Sequence, residues 1–551
     1  MRKTLSKVLV FFVCFSLIAS MFAGCSQKAA ETKKADVPSA GAASTAAAGT
    51  EPLTLPIVRE PMKFTFWADI GKAAGALKTL NDNLAYQEME KRTGIKLEFL
   101  HPPVGSAKEQ FNLLIASRQL PDLIQYEWLT VPGGPGAYIK DKVIIPLNEP
   151  VKKWAPNLQK VLEENPTLRK EQEMDDGTYY NLPAFYGDRE LAVFGGPILR
   201  GDWFKKMNME VPTTLDEWTV MLRKVKDMDL NGNGQKDEIP LHFVGKMRID
   251  DMPAFIGAWD IRSVFYNNKG KAAFGPVDPK YKEFLQLMNS WYKEGLLDPE
   301  SLVSTDKIQD EKYTADKVFA ILGSMGSQIT RYTAMMKPKN PNFQMLPVPY
   351  PTLKKGDVPT TGQSSYSYNK GGVAITTACK NVREATKFLD YGYSPEGNIL
   401  ANWGVEGKTY TMVNGKPKYT DLIINNPEGL SREQSMAKYT IWQSTTSVAK
   451  YKDVLNERDS LPEQIEGRKQ WMLCKNENLL PPLTPTQEES KELATIMNEI
   501  NTYTNEMFNQ FISGKAPLSD FDKYVGTLKS MGLDRATELM QKQLDRYSKR
   551  P

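Results

Sequence analysis

Histidine is almost absent from this sequence: His101 and His242 are the only two among 551 residues. Ser/His/Asp nucleophilic chemistry and His-rich zinc sites therefore have little material. Cysteine is as scarce. Of four, Cys14 lies in an N-terminal leader and Cys25 at its end, leaving Cys379 and Cys474, too few for a disulfide scaffold. Spacing alone leaves open whether those two pair. An excess of one charge is also missing: Arg2, Lys3 and Lys7 account for three of the formal +4, so the rest of the chain sums to about +1. Nothing in that balance points to nucleic acid or to a polybasic membrane patch. The apolar run Val8 to Phe22 is shorter than the roughly 20 residues a bilayer span needs. A phosphate loop is missing as well. Gly407-Lys408-Thr409 has the form of its end, but the glycine needed five positions earlier is Asn402, which excludes a nucleotide site.

What is present begins with the leader. Residues 1–24 place basic residues before the apolar run and Ala23-Gly24 before Cys25, the pattern of a secretory signal peptide. Phe22-Ala-Gly-Cys25 resembles a bacterial lipobox, although Phe22 stands where Leu is usual. The expectation is cleavage, lipidation of Cys25, and anchoring of the protein to the outer, extracytoplasmic face of the cell membrane. Residues 26–57, rich in Ala, Ser, Thr, Lys and Pro, lack the side chains to build a core and read as a flexible tether.

The most informative stretch is Asp227 to Pro240. Counting from Asp229, oxygen-bearing side chains fall at positions 1, 3, 5, 9 and 10: Asp229, Asn231, Asn233, Asp237 and Glu238. Gly234 at position 6 permits a sharp turn, and the carbonyl of Gln235 can join from the main chain. Ca²⁺ takes six to eight oxygens in such curled loops. Position 12, a bidentate Glu in an EF-hand, is Pro240, so a switching helix pair is not expected and Glu238 closes the sphere of a static, structural ion. The competing reading is an Asx- and Gly-rich turn that binds nothing. Upstream, Thr214 and Glu217 form a capping box, and Leu215, Trp218, Leu222 and Val225 follow at helical spacing.

Arg200-Gly-Asp-Trp-Phe-Lys-Lys, then Val211-Pro-Thr-Thr-Leu-Asp-Glu-Trp, then the calcium-type loop, resemble the extracellular solute-binding proteins (family 1) of ABC importers. The likeness is strongest to the lipoprotein branch with alginate-oligosaccharide binders. It implies an α/β, periplasmic-binding-protein-like fold: two lobes, each with a central β-sheet flanked by helices, joined by a hinge. It also implies a permease partner, an oligosaccharide ligand and, as expected here, a monomer.

The residues support that architecture. Met62 to Trp67 and the alternating Ile95, Leu97 and Phe99 read as strands around a helix, Ser106 to Glu109 as a second capping box, and Leu120 to Ile124 as a third strand. Alternating strands and helices predict a largely parallel sheet. The expected N-terminal lobe is 58–183 plus about 355–395. The C-terminal lobe is 184–354 plus about 396–551, and carries loop 229–238. Tyr281, Phe284, Leu285, Met288, Trp291 and Tyr292 form a core stripe, Val318 to Leu322 a buried strand, and Gly323 to Ser327 a turn that the resemblance aims at the cleft. Asn414-Gly415 marks a hairpin. Leu493 to Phe511 is a helix stopped by Gly514, with Ser519 and Asp522 starting another. Packing, not a coiled coil, is its expected role.

Sugars present flat C–H faces ringed by hydroxyls, so their sites need exposed rings with a polar fringe. Trp67, Trp128, Trp259 and Trp403 sit at strand ends or in loops and are the stacking candidates, with Glu127, Arg331 and Glu406 as polar partners. The rival readings are a sensor-input or adhesion lipoprotein, to which the tripeptide Arg200-Gly201-Asp202 lends little, and a secreted glycan-degrading enzyme. The last needs only two carboxylates among 66 acids, but no local motif marks such a pair.

Overall fold

The computed structural model describes residues 50–441, 448–459 and 461–550. The leader, Cys25 and the tether as far as residue 49 lie outside them. The tether's end departs from expectation, since residues 50–57 are docked. The N–H of Glu51 donates to the carbonyl of Lys153 (2.8 Å), that of Ile57 to Thr93 (2.9 Å), and the Glu51 carboxylate takes Lys387 (2.6 Å) and Arg383.

The chain first builds β1 (Met62–Trp67), a helix Leu84–Thr93, β2 (Ile95–Leu100), β3 (Leu123–Tyr126) and β4 (Leu182–Tyr186). Asn83 caps the first helix by accepting from the N–H groups of Ala85 and Tyr86, and Gly94 ends it at φ 78°. A Cβ at Gly94 would also meet the carbonyl of Val58 at 2.4 Å, so only glycine fits. Ser106 behaves otherwise than expected: its hydroxyl donates to the carbonyl of Pro103 (2.8 Å) and caps nothing.

Crossing over, the chain forms β5 (Gly195–Arg200), β6 (Ile239–His242), the hairpin β7 (Phe265–Asn268) and β8 (Lys271–Phe274), β9 (Val318–Ser324) and β10 (Met345–Pro347). It returns as β11 (Tyr368–Ile375), adds the hairpin β12 (Tyr410–Val413) and β13 (Lys416–Tyr419), and places β14 (Val448–Lys450) on the first sheet. Asn414 and Gly415 both have positive φ, as the tight turn between β12 and β13 requires.

Two main sheets result, ordered β14–β4–β11–β3–β1–β2 and β10–β5–β9–β6. In the first, β1 pairs in parallel with β2 and β3, and β14 with β4, but β11 is antiparallel to both its neighbours. The second has one parallel pair, β6 with β9. The predicted largely parallel sheet thus holds for the first sheet except at β11, and the second sheet is mostly antiparallel. The reason is connectivity: β11 re-enters beside the end where β4 left, with Tyr368 opposite Phe185, and must run the other way.

The boundary expected near residue 395 also moves. Leu400, Ala401, Ala437 and Val448 are buried in the first sheet's core, and the chain crosses a third time after β14. Helix Pro462–Trp471 then joins the second sheet, where Trp471 is fully buried and its indole N–H donates to Val348 (3.0 Å). Gly196 must be glycine for this contact, because its Cβ would lie 2.4 Å from that indole nitrogen.

In the second lobe the Thr214–Glu217 capping box forms as predicted, and Trp218 and Trp291 meet Phe255 edge-on at 5.2 and 5.1 Å. The long helix Gln487–Ser513 ends at Gly514. Asn289 donates to its last carbonyls, Phe511 (3.0 Å) and Ile512 (2.9 Å). Its buried face, including Ile500, Phe508 and Phe511, packs inside this chain as expected. The last helix, Leu533–Ser548, holds the β7–β8 hairpin through Gln541, while Arg546 and Arg550 pair with Asp175 of the first lobe (both 2.6 Å). Cys379 and Cys474 are free, buried, and belong to different cores.

Candidate functional site

In an open α/β sheet, ligands bind beyond the carboxyl ends of the strands where the connections diverge. Here β1 lies between β2 and β3, so the chain runs from β1 to one side and then returns past it to the other. A cavity of about 370 Å³ opens at that point. Trp67 ends β1 and Tyr126 ends β3; Asp69, Gln125, Glu127 and Lys108 bring polar groups to the wall. Trp67 stands 5.9 Å from Tyr126, and Phe111 stacks on Tyr126 at 3.8 Å with a 7° interplanar angle and meets Trp67 at 6.0 Å, fixing both rings. Burial, with Glu127 and Glu109 nearby, pushes the Tyr126 hydroxyl up, so it stays a neutral donor. Asn83 also reaches the cavity, but its carboxamide is spent on the helix cap and on the carbonyls of Ala437 and Thr440 (both 3.0 Å).

The far wall comes from helix Arg432–Tyr439 and the residues after it: Ala437, Thr440 and Ile441. That helix stands near the second lobe. A Cβ at Gly326 would approach the Glu433 carboxylate at 3.2 Å. The turn expected at 323–327 is therefore beside this wall, although from Met325 to Ile329 it is a π-helical turn.

Of the seven residues expected to bind ligand, the structure brings Trp67 and Glu127 together at the cavity. The other five stand outside its lining. Trp128 is fully buried, donates to the carbonyl of Gly372 (3.2 Å) and packs edge-on against Phe111 and Tyr138. Trp259 donates to Glu283 (2.8 Å) and packs on Phe284. Trp403 sits in a small core 4.7 Å from the Tyr419 ring. Arg331 is paired with Asp310 (2.6 Å), and Glu406 is exposed ahead of the β12–β13 hairpin. Each Trp was placed by its loop context, and buried loop aromatics share that context. Tyr126, the missed ring, ends β3, two residues beyond the stretch predicted as that strand.

Arg200, Gly201 and Asp202 are buried, which removes that tripeptide as a surface adhesion signal. His242 lies between Asp298 (2.7 Å) and Ser304 (2.9 Å), all three buried. Asp298 also takes Lys312 (2.8 Å), so the group ties β6 to the following loop.

Loop 229–238 follows the expected course, with Gly232 and Gly234 at positive φ. The Asp229 carboxylate accepts from the N–H groups of Gly232, Asn233 and Gly234 at 2.8–3.1 Å. Asn231 and Asn233 donate to Asp237, whose other oxygen meets Lys317 at 2.9 Å. Lys317, then the carboxamides, hold Asp237 below the ordinary carboxylate range. Glu238 accepts from Leu230 (2.5 Å) and Asn231 (2.9 Å) through one oxygen, while its second oxygen is buried without a partner. Among the described residues no three His, Cys, Asp or Glu side chains are grouped as a metal site. The loop offers a mixed set of carboxylates and carboxamides instead, and a bare buried carboxylate oxygen in such a set fits a hard cation.

Comparison with known proteins bears on the family and the fold. The profile of the bacterial extracellular solute-binding proteins matches residues 77–399. The fructooligosaccharide ABC transporter substrate-binding protein FusA of Streptococcus pneumoniae serotype 4 is 25% identical over 494 residues, 85% of this chain and 88% of FusA. Lipoprotein LipO of Bacillus subtilis is 25% identical over 374 residues, 64% of this chain and 68% of LipO. The alginate-binding protein AlgQ2, in a crystal structure without calcium ion, superposes with a TM-score of 0.71 at 22% identity, over 89% of this chain and 99% of AlgQ2. An EF-hand mutant of FusA with fructo-nystose gives 0.67 at 23%, over 88% and 99%. These likenesses establish the two-lobed fold. Among the described residues no helix is long and apolar enough to cross a membrane.

Proposed function

The chain belongs to the bacterial extracellular solute-binding proteins, and from that premise we propose that it is the lipid-anchored receptor of an ABC importer for an oligosaccharide or related glycan fragment. The observation that carries the reading is the cavity at the β1/β3 divergence. It pairs two fixed rings, Trp67 and Tyr126, with a polar wall of Asp69, Gln125, Glu127 and Lys108. Rings of that kind stack on the C–H face of a pyranose or furanose, while the wall donates to and accepts from its hydroxyls. FusA, over most of its length a relative, is a fructooligosaccharide-binding protein.

Ligand contacts to both lobes would shift the population toward a closed form, with motion absorbed in the three crossing segments. The closed receptor then presents the sugar to the permease. Acylation of Cys25 would keep the protein at the extracytoplasmic face.

Loop 229–238 would hold a structural Ca²⁺ through Asp229, Asn231, Asn233, the carbonyl of Gln235, Asp237 and Glu238. The ion supplies a fixed positive centre, pinning the end of helix Leu215–Lys226 to β6. An ion bound only by the folded state stabilises it by about 2.7 kcal/mol at a hundredfold excess over Kd.

Calorimetric titration of the purified protein, with calcium present, against plant, algal and microbial oligosaccharides tests the receptor reading. Saturable binding with the sugar recovered intact is expected. Cleavage of the sugar would make the protein an enzyme, and silence across the panel would sink the glycan reading.

A further inference from the structure

Three carboxylates lie within the ten residues of loop 229–238, and the chain answers each differently. Asp229 is met by three backbone N–H groups and Glu238 by two, both neutral partners. Asp237 alone meets a full positive charge, the Lys317 ammonium at 2.9 Å. Among the described residues no other ion pair reaches these three carboxylates. Lys206 is close, but its ammonium donates to the carbonyl of Leu230 (2.6 Å).

The position of Lys317 is imposed by the backbone. Its carbonyl accepts the N–H of Ile239 (2.8 Å) at the head of the parallel β6–β9 pair, where Ile239 faces Val318. The preceding residue, Asp316, adopts φ 61°, accepts from Asn231 at its carbonyl (3.2 Å) and binds the buried Arg200 through its carboxylate. The turn carrying Lys317 is thus fastened on both sides, which roots its side chain beside Asp237, where the ammonium pairs with the carboxylate. A divalent ion drawn to the bare oxygen of Glu238 would share Asp237 with a resident cation.

We propose that Lys317 is the built-in counter-cation of this loop: it holds Asp237 when the loop is metal-free and sets the affinity for Ca²⁺ by opposing the ion. The proposal rests on the calcium reading above. Two consequences separate it from an ordinary surface ion pair. Removing the charge tightens metal binding, because a monovalent cation about 6 Å from a divalent one in a water-like medium weakens binding by about tenfold. Removing it also loosens the metal-free protein, because Asp237 then faces Asp229 and Glu238 without its counter-charge.

The test uses calcium alone, titrated calorimetrically into the chelator-stripped protein, with melting temperatures in excess chelator alongside. Lys317→Met is expected to lower the calcium Kd by about tenfold and to lower the melting temperature of the stripped protein. Lys317→Arg should keep both near the parent values. The affinity gain should shrink from about 50 mM to about 500 mM salt as screening grows. Lys317→Gln stands in if the Met variant does not fold. A calcium Kd within twofold of the parent in the uncharged variant overturns the proposal while leaving the site intact. A parent protein that takes up no calcium, or an Asp229→Ala variant that still does, overturns the calcium reading and the proposal with it.

Discussion

Replacing Asp202 by Ala removes the main counter-charge of a fully buried arginine. Arg200 is held between Trp203 (4.1 Å) and Phe343 (4.7 Å), with Nε and Nη2 donating to the two Asp202 oxygens at 3.0 and 2.9 Å and Nη1 donating to Asp316 at 2.5 Å. Asn340 donates to the same Asp202 carboxylate (3.0 Å). The alanine variant loses two charge-assisted bonds, leaves the Asn340 donor unpaired, and leaves a desolvated guanidinium with one partially exposed partner. Breaking a buried pair from one side costs about 3–5 kcal/mol; the remaining Asp316 contact puts the expected loss near 3. Unfolding entropy near 2 cal/mol/K per residue gives a lobe of about 250 residues roughly 0.5 kcal/mol/K, so the melting temperature should fall by about 6 °C. Differential scanning calorimetry measures it directly. The double variant Arg200→Met, Asp202→Leu, which fills the volume and leaves no charge behind, should lose less than Asp202→Ala. A fall under about 2 °C for the single variant, or a larger loss in the double variant, would refute the reasoning.

Trp67→Ala should weaken binding of any sugar found by titration by about 30-fold, the scale of a central aromatic anchor, whereas Trp403→Ala should lower the melting temperature with little change in Kd. Asn289→Ala removes both donors to the end of the long helix and should cost about 1–2 kcal/mol in denaturant unfolding. For Asp298, burial raises the pKa, but hydrogen bonds from His242 and Lys312 and the N–H of Glu300 outweigh it and hold the group at about 2. Its folded value lies below its unfolded one, so its contribution, about 2 kcal/mol, is complete above about pH 4 and is lost as pH falls through 2. Asp298→Asn should flatten the acid limb of stability between those values; an unchanged limb would contradict the assignment.

Local chemistry that acts over a few residues was mostly legible in the sequence, the Ser106 box being the exception. The Thr214–Glu217 box, the Gly514 stop, the Asn414-Gly415 turn and the core stripe from Tyr281 to Trp291 each formed as read, because their partners are three or four positions away. Trp67 and Glu127 both reach the cavity wall because strand ends of a βαβ unit converge whatever the rest of the chain does. Residues whose place depends on distant packing were not legible. Trp128 turns inward because Gly372, 244 positions later, offers its indole a carbonyl. The antiparallel course of β11 and the late arrival of β14 depend on where the chain crosses between lobes, and no local pattern records that.

The pairing of Val448 with Ala184, 264 residues apart, has a consequence for the chain's birth. Synthesis delivers the N-terminus first, so β4 emerges long before the two strands that will flank it, β11 and then β14. Until residue 450 has appeared, the first sheet has a raw border of unpaired N–H and C=O groups along β4, the kind of border onto which a second nascent chain can zip. Neither half of the molecule can therefore mature as a contiguous block. A chain truncated anywhere between residues 376 and 447 should leave that border open and recruit chaperones or aggregate, even though every residue of the ligand cavity contributed by β1 to β3 is already in place.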